Sequence, residues 1–304
     1  MSYEYRVSRF DEMEKNWPLE RLHDLMARYN CEQDDFINFK LSIKLYISKA
    51  LKIKFTDDDE EFINLVDKAR DNRVNVTPNG AVVPKREYQL EYNMILRQWC
   101  ELIRKITKKK PELLKRFRAT PNIRIKFGQE LEDNLGRGLS TSLPHSDGWV
   151  EGPWGMNCYF PILGDVENNN LLFYKPKKFE ERFISTSDTY ENMQWVMDYY
   201  EKDESLSPKK GAIYLSDYAL IHNTFRKKEA GTRISIDTTV FIGDHLPHED
   251  RIIEYRDKIP NIGLDEFIDA GRYENEKLVD NKSAFTHYTT GKIKSVFLDN
   301  QKNN

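Results

Sequence analysis

Residues 233–242 read RISIDTTVFI. Over the first five positions polar and apolar side chains alternate, which is the period of a β-strand with one buried face and one polar face. Ile234 and Ile236 share the apolar face, and the opposite face carries Arg233 and Ser235. The segment therefore predicts a strand that presents a guanidinium and a hydroxyl side by side.

Other segments after Pro121 have a similar pattern. Residues 122–127 (NIRIKF), 156–160 (MNCYF) and 211–217 (GAIYLSD) are short, rich in strand-forming residues and often alternating. Several such strands in one half of a chain are typical of a β-barrel or jelly roll.

The first 120 residues predict helices instead. Apolar residues recur every three or four positions from Phe36 to Leu51 and from Tyr88 to Ile106, with a turn signal at Thr77-Pro78-Asn79-Gly80 between them. The second stripe could pack within the chain or against another copy. Packing within the chain is favoured because a barrel face beside helices needs apolar cover, and the oligomeric state stays open.

Composition excludes several classes of protein. The chain has 304 residues and a formal charge of −3, which argues against nucleic acid or anionic membranes as general partners. Its three cysteines, Cys31, Cys100 and Cys158, form no CxxC pair, so a disulfide framework is not expected. No signal peptide and no apolar run of about 18 residues is recognisable. These features predict a cytoplasmic globular protein.

Four elements could carry chemistry. His145-Ser146-Asp147 places an imidazole and a carboxylate on one face if the segment is extended. His222 follows a predicted strand, and Arg233 lies 11 residues further on. Two histidines and one aspartate can occupy one face of an octahedral Fe(II), leaving three positions open. A guanidinium with a neighbouring hydroxyl is suited to bind a carboxylate.

With these residues the sequence resembles the Fe(II)/2-oxoglutarate-dependent dioxygenases over roughly residues 120–245, and the spacing of His222 and Arg233 resembles the phytanoyl-CoA hydroxylase-like branch. The resemblance implies a double-stranded β-helix and coupling of 2-oxoglutarate decarboxylation, with O2, to oxidation of a C–H bond. It also implies that His145, Asp147 and His222 bind iron, that Arg233 pairs with the distal carboxylate of 2-oxoglutarate, and that Ser235 and Asn157 assist. Because Asp147 is present, hydroxylation is favoured over halogenation.

The expected organisation is mainly β with α: a helical region (1–120) packed on a double-stranded β-helix core (121–245), followed by a C-terminal extension (246–304). Residues 175–210 are charged and interrupt the strand pattern, so they predict an insertion with a short helix. Its aromatic residues Trp195, Tyr199 and Tyr200 suggest a lid over the site.

The substrate is expected to be a small molecule, such as a sugar or nucleotide sugar. Two features favour this choice. The basic stretch from Arg104 to Lys126 could contact an anion, although a solvated helix end explains it more simply. Aromatic rings that follow the His-x-Asp motif could stack on a sugar or belong to the core: Trp149, Trp154, Tyr159 and Phe173.

Two alternative functions remain open from the sequence. One is a cupin-like metalloenzyme that does not use 2-oxoglutarate, and the other is a non-catalytic jelly-roll module that binds carbohydrate. The remaining histidines carry less weight: His245 and His248 predict a loop, and His23 and His287 have no neighbouring ligand residues.

Overall fold

The computed structural model describes residues 1–71, 75–128 and 142–243, together with 257–258, 264, 268 and 296–299. Its α-helices are α1 (Tyr3–Asn16), α2 (Gln33–Leu51), α3 (Asp59–Lys68), α4 (Gln89–Thr107) and α5 (Gly148–Glu151). Its strands are β1 (Glu20–His23), β2 (Met26–Asn30), β3 (Leu114–Arg118), β4 (Asn122–Lys126), β5 (Met156–Gly164), β6 (Asn169–Pro176), β7 (Tyr200–Asp203), β8 (Ala212–Asp217), β9 (Ile221–Arg226), β10 (Arg233–Ile242), β11 (Asp257–Lys258) and β12 (Val296–Asp299). Short 3-10 helices cover Arg86–Tyr88, Pro111–Leu113, Glu181–Ile184, Glu191–Tyr199 and Glu204–Leu206.

The strands form two sheets in the described part of the chain. The large sheet has the order β1-β2-β8-β5-β10-β3-β12-β11, with β4 also paired to β10, and the small sheet has the order β7-β6-β9. All pairs are antiparallel except β11 with β12. Residues of both sheets line one pocket. The prediction of a mainly β protein with a jelly-roll core and added helices is confirmed.

Strand β10 lies at the centre of the large sheet and has two chemically different faces. Ile234 and Ile236 belong to the hydrophobic core, whereas Arg233, Ser235 and Asp237 line the pocket. This division follows directly from the alternation of side chains along a strand. The predicted strand over 233–242 has the predicted bounds.

Helices α2 and α4 cover the apolar face of the large sheet. They correspond to the two predicted apolar stripes, and the turn at 77–80 precedes α4 as expected. The rings of Phe39 and Trp99 contact Phe160 of β5, with centroids 5.7 and 6.5 Å apart. The stripe of α4 therefore packs within the chain. Burial of these rings stabilises the contact between the helices and the sheet.

Two expectations about organisation need correction. Residues 1–120 are not only helical, because β1, β2 and β3 lie there and β2 pairs with β8. Strands of four or five residues show little periodicity in sequence and depend on their partner strands. The 175–210 segment contains 3-10 turns at Glu191–Tyr199 and strand β7, which pairs with β6. Part of the supposed insertion thus belongs to the small sheet.

The proposed domain boundaries stay predictions. Most of the C-terminal extension lies outside the described residues, as does most of the helix expected around residues 263–273, of which Leu264 and Ile268 are helical and buried. Among the described helices, none has the length and apolar character that crossing a bilayer requires.

Candidate metal centre

Backbone pairing brings the two predicted histidine ligands together. The amide of His145 donates to the carbonyl of His222 at 2.8 Å, and the amide of His222 donates back at 2.9 Å. His222 belongs to β9, which pairs with β6 in the small sheet, and the isolated β-bridge adds His145 as a further backbone partner of β9. The two imidazole rings consequently lie with their centroids 4.5 Å apart.

The residues around Asp147 form a tight turn rather than an extended strand. Asp147 has φ −60° and ψ −24° and immediately precedes α5, so the condition of an extended segment, under which both side chains would share one face, is not met at this residue. The Ser146 hydroxyl donates to the Tyr218 carbonyl at 2.6 Å and accepts from the Gly148 amide at 3.0 Å. A Cβ at Gly148 would lie 2.7 Å from Ile184, so only glycine fits there. The turn brings the carboxylate toward the histidines.

His145, Asp147 and His222 form a cluster whose ligand atoms all lie within 4.8 Å of one another. Nε2 of His145 is 3.8 Å from Oδ1 of Asp147, and Nε2 of His222 is 3.9 Å from Oδ2. Two atoms closer than about 4.2 Å can both bond one ion at about 2.1 Å. The cluster has the composition of the two-histidine, one-carboxylate sites that bind Fe(II).

The protonation of the histidines suits metal binding. Nδ1 of His145 lies 2.8 Å from the Leu143 carbonyl, which can only accept, so Nδ1 carries the hydrogen and Nε2 has a free lone pair. Burial lowers the pKa of both His145 and His222 to about 4, and for His145 the neighbouring His222 adds to this effect. Burial raises the pKa of Asp147. Neutral imidazoles are the form that coordinates a metal.

Unpaired hydrogen-bond donors line the same pocket. Arg233 is only 1% exposed, and within the described residues its Nε and Nη1 have no hydrogen-bond partner. Its guanidinium lies over the Tyr159 ring, 5.5 Å from the centroid. Nδ2 of Asn157 is likewise buried and without a described partner, and Ser235 lines the pocket beside Arg233. Buried donors in this state favour an anionic ligand with several oxygen atoms.

An ion pair occupies another part of the pocket wall. Arg124 of β4 donates to both carboxylate oxygens of Asp237, at 2.7 and 2.9 Å, and Lys126 lines the pocket from the same strand. Burial opposes ionisation of Asp237, but Arg124 outweighs it and lowers the pKa of this carboxyl. The space between these residues, including the open mouth of the pocket, is about 560 Å³.

The basic stretch from Arg104 to Lys126 does not form one surface. Lys105 pairs with Asp35 at 2.5 Å, and Lys110 pairs with Glu12. Arg124 and Lys126, by contrast, are directed into the pocket. The sequence could not separate these two groups because their surroundings differ only after folding.

The aromatic residues considered for substrate stacking lie in different surroundings, some in the core and some beside the pocket. Trp149 is fully buried and its Nε1 donates to the Phe183 carbonyl at 2.6 Å, so its ring belongs to the core. Phe173 is buried beside His222, and Tyr159 lines the pocket next to Arg233. Trp154 is partly exposed.

The predicted lid residues have different surroundings from one another. Trp195 and Tyr199 are exposed, whereas Tyr200 is buried and donates to the Ala219 carbonyl at 3.0 Å. The closest contact from this segment to the site comes from Tyr190, which sequence reasoning missed. The only available signal was its position in an aromatic-rich segment.

Of the remaining histidines, only His23 belongs to the described residues, and it lies outside the cluster. His23 lies on β1, where its Nδ1 accepts from the Leu25 amide at 3.2 Å. His245, His248 and His287 lie outside the described residues, so the predicted loop at His245 and His248 remains a prediction.

Comparison with known proteins yields distant likenesses among solved structures. No family model matches the chain, and no curated protein matches it. The non-haem α-ketoglutarate-dependent carbocyclase SnoK from nogalamycin biosynthesis matches 80% of this chain and 85% of its own, with 8% identity and a TM-score of 0.40. An N-substituted L-amino acid dioxygenase from Burkholderia ambifaria matches 79% and 88%, with 12% identity and a TM-score of 0.37.

A prolyl 4-hydroxylase structure from Phytophthora capsici matches 81% of this chain and 77% of its own, with 11% identity and a TM-score of 0.36. The finer assignment to the phytanoyl-CoA hydroxylase-like branch stays a prediction. At such distances the matches carry no weight for function, which rests on the residues of the site.

Proposed function

We propose that this protein is a non-haem Fe(II)- and 2-oxoglutarate-dependent oxygenase. The observation that carries the proposal is one pocket with two complementary parts: a His145–Asp147–His222 cluster, and a buried Arg233 whose Nε and Nη1 have no hydrogen-bond partner among the described residues. A cupin-like metal site has no need of the second part. A carbohydrate-binding module has no need of the first.

The chain's residues divide between the metal and the co-substrate. His145, Asp147 and His222 would hold Fe(II), which together with 2-oxoglutarate and O2 supplies the oxidation of a C–H bond. Arg233 would pair with the distal carboxylate of 2-oxoglutarate, because a buried guanidinium needs an anionic partner. Ser235 and Asn157 would donate hydrogen bonds to the same ligand.

The substrate we propose is a small anionic or sugar-containing molecule, and the reaction a hydroxylation. Arg124 and Lys126 in the pocket support an anionic group. Asp237, which accepts hydrogen bonds from Arg124, offers a carboxylate that can also accept hydrogen bonds from substrate hydroxyls. The buried Trp149 makes no contribution to stacking, so polar contacts are the stronger support.

The test is an anaerobic titration of the protein with Fe(II) and 2-oxoglutarate, monitored through the visible charge-transfer band of the chelate. The wild type is expected to develop the band. His145→Ala is expected to develop no band because it no longer binds the metal. Arg233→Ala should keep Fe(II) binding and require much more 2-oxoglutarate. A matched control is Arg28→Ala, which removes a partly exposed arginine of β2 that pairs with Glu20 outside the pocket.

Folded wild-type protein that develops no band would overturn the proposal. A metal complex whose affinity for 2-oxoglutarate is the same in the wild type and Arg233→Ala would favour the cupin-like alternative. Once the band is established, succinate formation above the uncoupled background, measured across anionic and sugar substrates, identifies the substrate class.

A further inference from the structure

Tyr190 lies against two of the three candidate ligands but has no role in the function proposed above. It directly precedes the 3-10 helix Glu191–Tyr199 and is only 4% exposed. Its ring stacks on His145 with centroids 4.2 Å apart and an interplanar angle of 24°. Its hydroxyl donates to Oδ1 of Asp147 at 3.3 Å.

Contacts from its own segment and from the residues around His145 and α5 fix the position of Tyr190. Nε2 of Gln194 donates to the Tyr190 carbonyl and to the Pro144 carbonyl, each at 2.9 Å. This amide therefore ties the 3-10 segment to the residue just before His145. The Trp149 ring packs edge-on against Tyr190, with centroids 6.2 Å apart. The hydroxyl is thus held in place by packing.

The hydrogen bond makes the two oxygens of Asp147 inequivalent. Each oxygen lies near one histidine, Oδ1 at 3.8 Å from Nε2 of His145 and Oδ2 at 3.9 Å from Nε2 of His222, but only Oδ1 also accepts from Tyr190. A donated hydrogen bond uses a lone pair of Oδ1 and reduces its basicity, so a cation is favoured at Oδ2. The number of bound oxygens matters, because a carboxylate that binds through both oxygens takes one of the three positions otherwise left open.

We propose that Tyr190 is a positioning residue that restricts Asp147 to one-oxygen metal binding and so keeps room for both 2-oxoglutarate and O2. This inference rests on the proposed function and deepens it. It also assigns a role to the 175–210 segment. Through Tyr190 this segment donates a hydrogen bond to Asp147 and covers one face of His145.

The test compares Tyr190→Phe with the wild type, using Co(II) as the metal probe. Phenylalanine keeps the ring on His145 and removes only the hydroxyl. The matched control is Tyr200→Phe, which removes a buried hydroxyl of the same segment that donates to Ala219 and does not touch the site. Infrared difference spectra of metal binding, assigned with 13C-labelled aspartate, report the splitting of the carboxylate stretches. This splitting is larger for one-oxygen than for two-oxygen binding.

The wild type and Tyr200→Phe are expected to show the large splitting, and Tyr190→Phe the small one. The 2-oxoglutarate affinity of the Co(II) complex should fall about tenfold in Tyr190→Phe and stay unchanged in the control. Tyr190→Met, which removes ring and hydroxyl, should give the same change in splitting if the phenylalanine variant does not fold.

Two outcomes would overturn the inference, and they are distinguishable. Failure of the folded wild type to bind Co(II) would remove the proposed function together with the role of Tyr190. Normal metal binding by Tyr190→Phe, with wild-type splitting and wild-type 2-oxoglutarate affinity, would remove only the role of Tyr190.

Discussion

The two faces of the large sheet are built from the same strands but have opposite chemistry. On the helix-covered face, Phe39, Trp99 and Phe160 form a buried aromatic stack. On the pocket face, Arg233 and Asn157 have buried donors without described partners. The first face gains free energy from burial, whereas the second carries a desolvation cost that a ligand can offset. Stability and binding are therefore separated across a single layer of backbone.

The largest expected effect is on the helix-covered face. Trp99→Ala removes a fully buried ring, and we expect the free energy of unfolding to fall by about 3–5 kcal/mol. Chemical denaturation measures the change, and Leu90→Ala on the exposed side of α4 is the control, with a change within about 0.5 kcal/mol. The fraction that stays folded should still bind metal. A folded Trp99→Ala variant without metal binding would show that the two faces are coupled.

An effect of opposite sign is expected on the pocket face. Arg233→Met replaces a buried guanidinium with an apolar chain of similar length, and we expect stability of the free protein to rise by roughly 1 kcal/mol or more. Adding metal and 2-oxoglutarate together should raise the melting temperature of the wild type more than metal alone does. In the variant, 2-oxoglutarate should add little to the rise that metal alone produces. A loss of stability in the ligand-free variant would mean that the contact of Arg233 with Tyr159 outweighs the desolvation cost of the guanidinium.

The smallest effects compare neighbours on β10. Ile236→Val deletes one methylene from the core and should lower the free energy of unfolding by about 0.5–1.5 kcal/mol without changing 2-oxoglutarate affinity. Ser235→Ala should do the reverse, weakening 2-oxoglutarate binding by about 0.5–1.5 kcal/mol at nearly constant stability. Denaturation and anaerobic titration of both variants measure the two effects. Identical profiles for the two substitutions would contradict the division of β10 into two functional faces.

Strong periodicity explains which parts of the fold could be predicted from sequence. Helices α2 and α4 and strand β10 are long enough for apolar residues to recur several times at the period of a helix or a strand. Strands β1 and β2 have four and five residues and pair with each other and with β8. Their formation depends on partners distant in sequence, so no local pattern reveals them.

The same distinction applies to the site. His145, Asp147, His222 and Arg233 could be proposed from sequence because their chemistry is specific and their order along the chain is informative. Tyr190 could not, since tyrosine is common in buried segments and its role depends on a 3.3 Å contact with Asp147, 43 positions away. The Arg124–Asp237 pair spans 113 positions and has no signature of its own.

Sequence alone determined the alternating faces of the strands, the amphipathic helices and the set of residues able to bind a metal and a carboxylate, because these depend on local geometry and side-chain chemistry. Only the tertiary structure decided that His145 and His222 pair through their backbones, that Asp147 turns toward them, and that Arg233 is buried with two of its nitrogens lacking a described hydrogen-bond partner. Those properties arise from distant segments meeting in space, where burial and proximity change what each side chain can do.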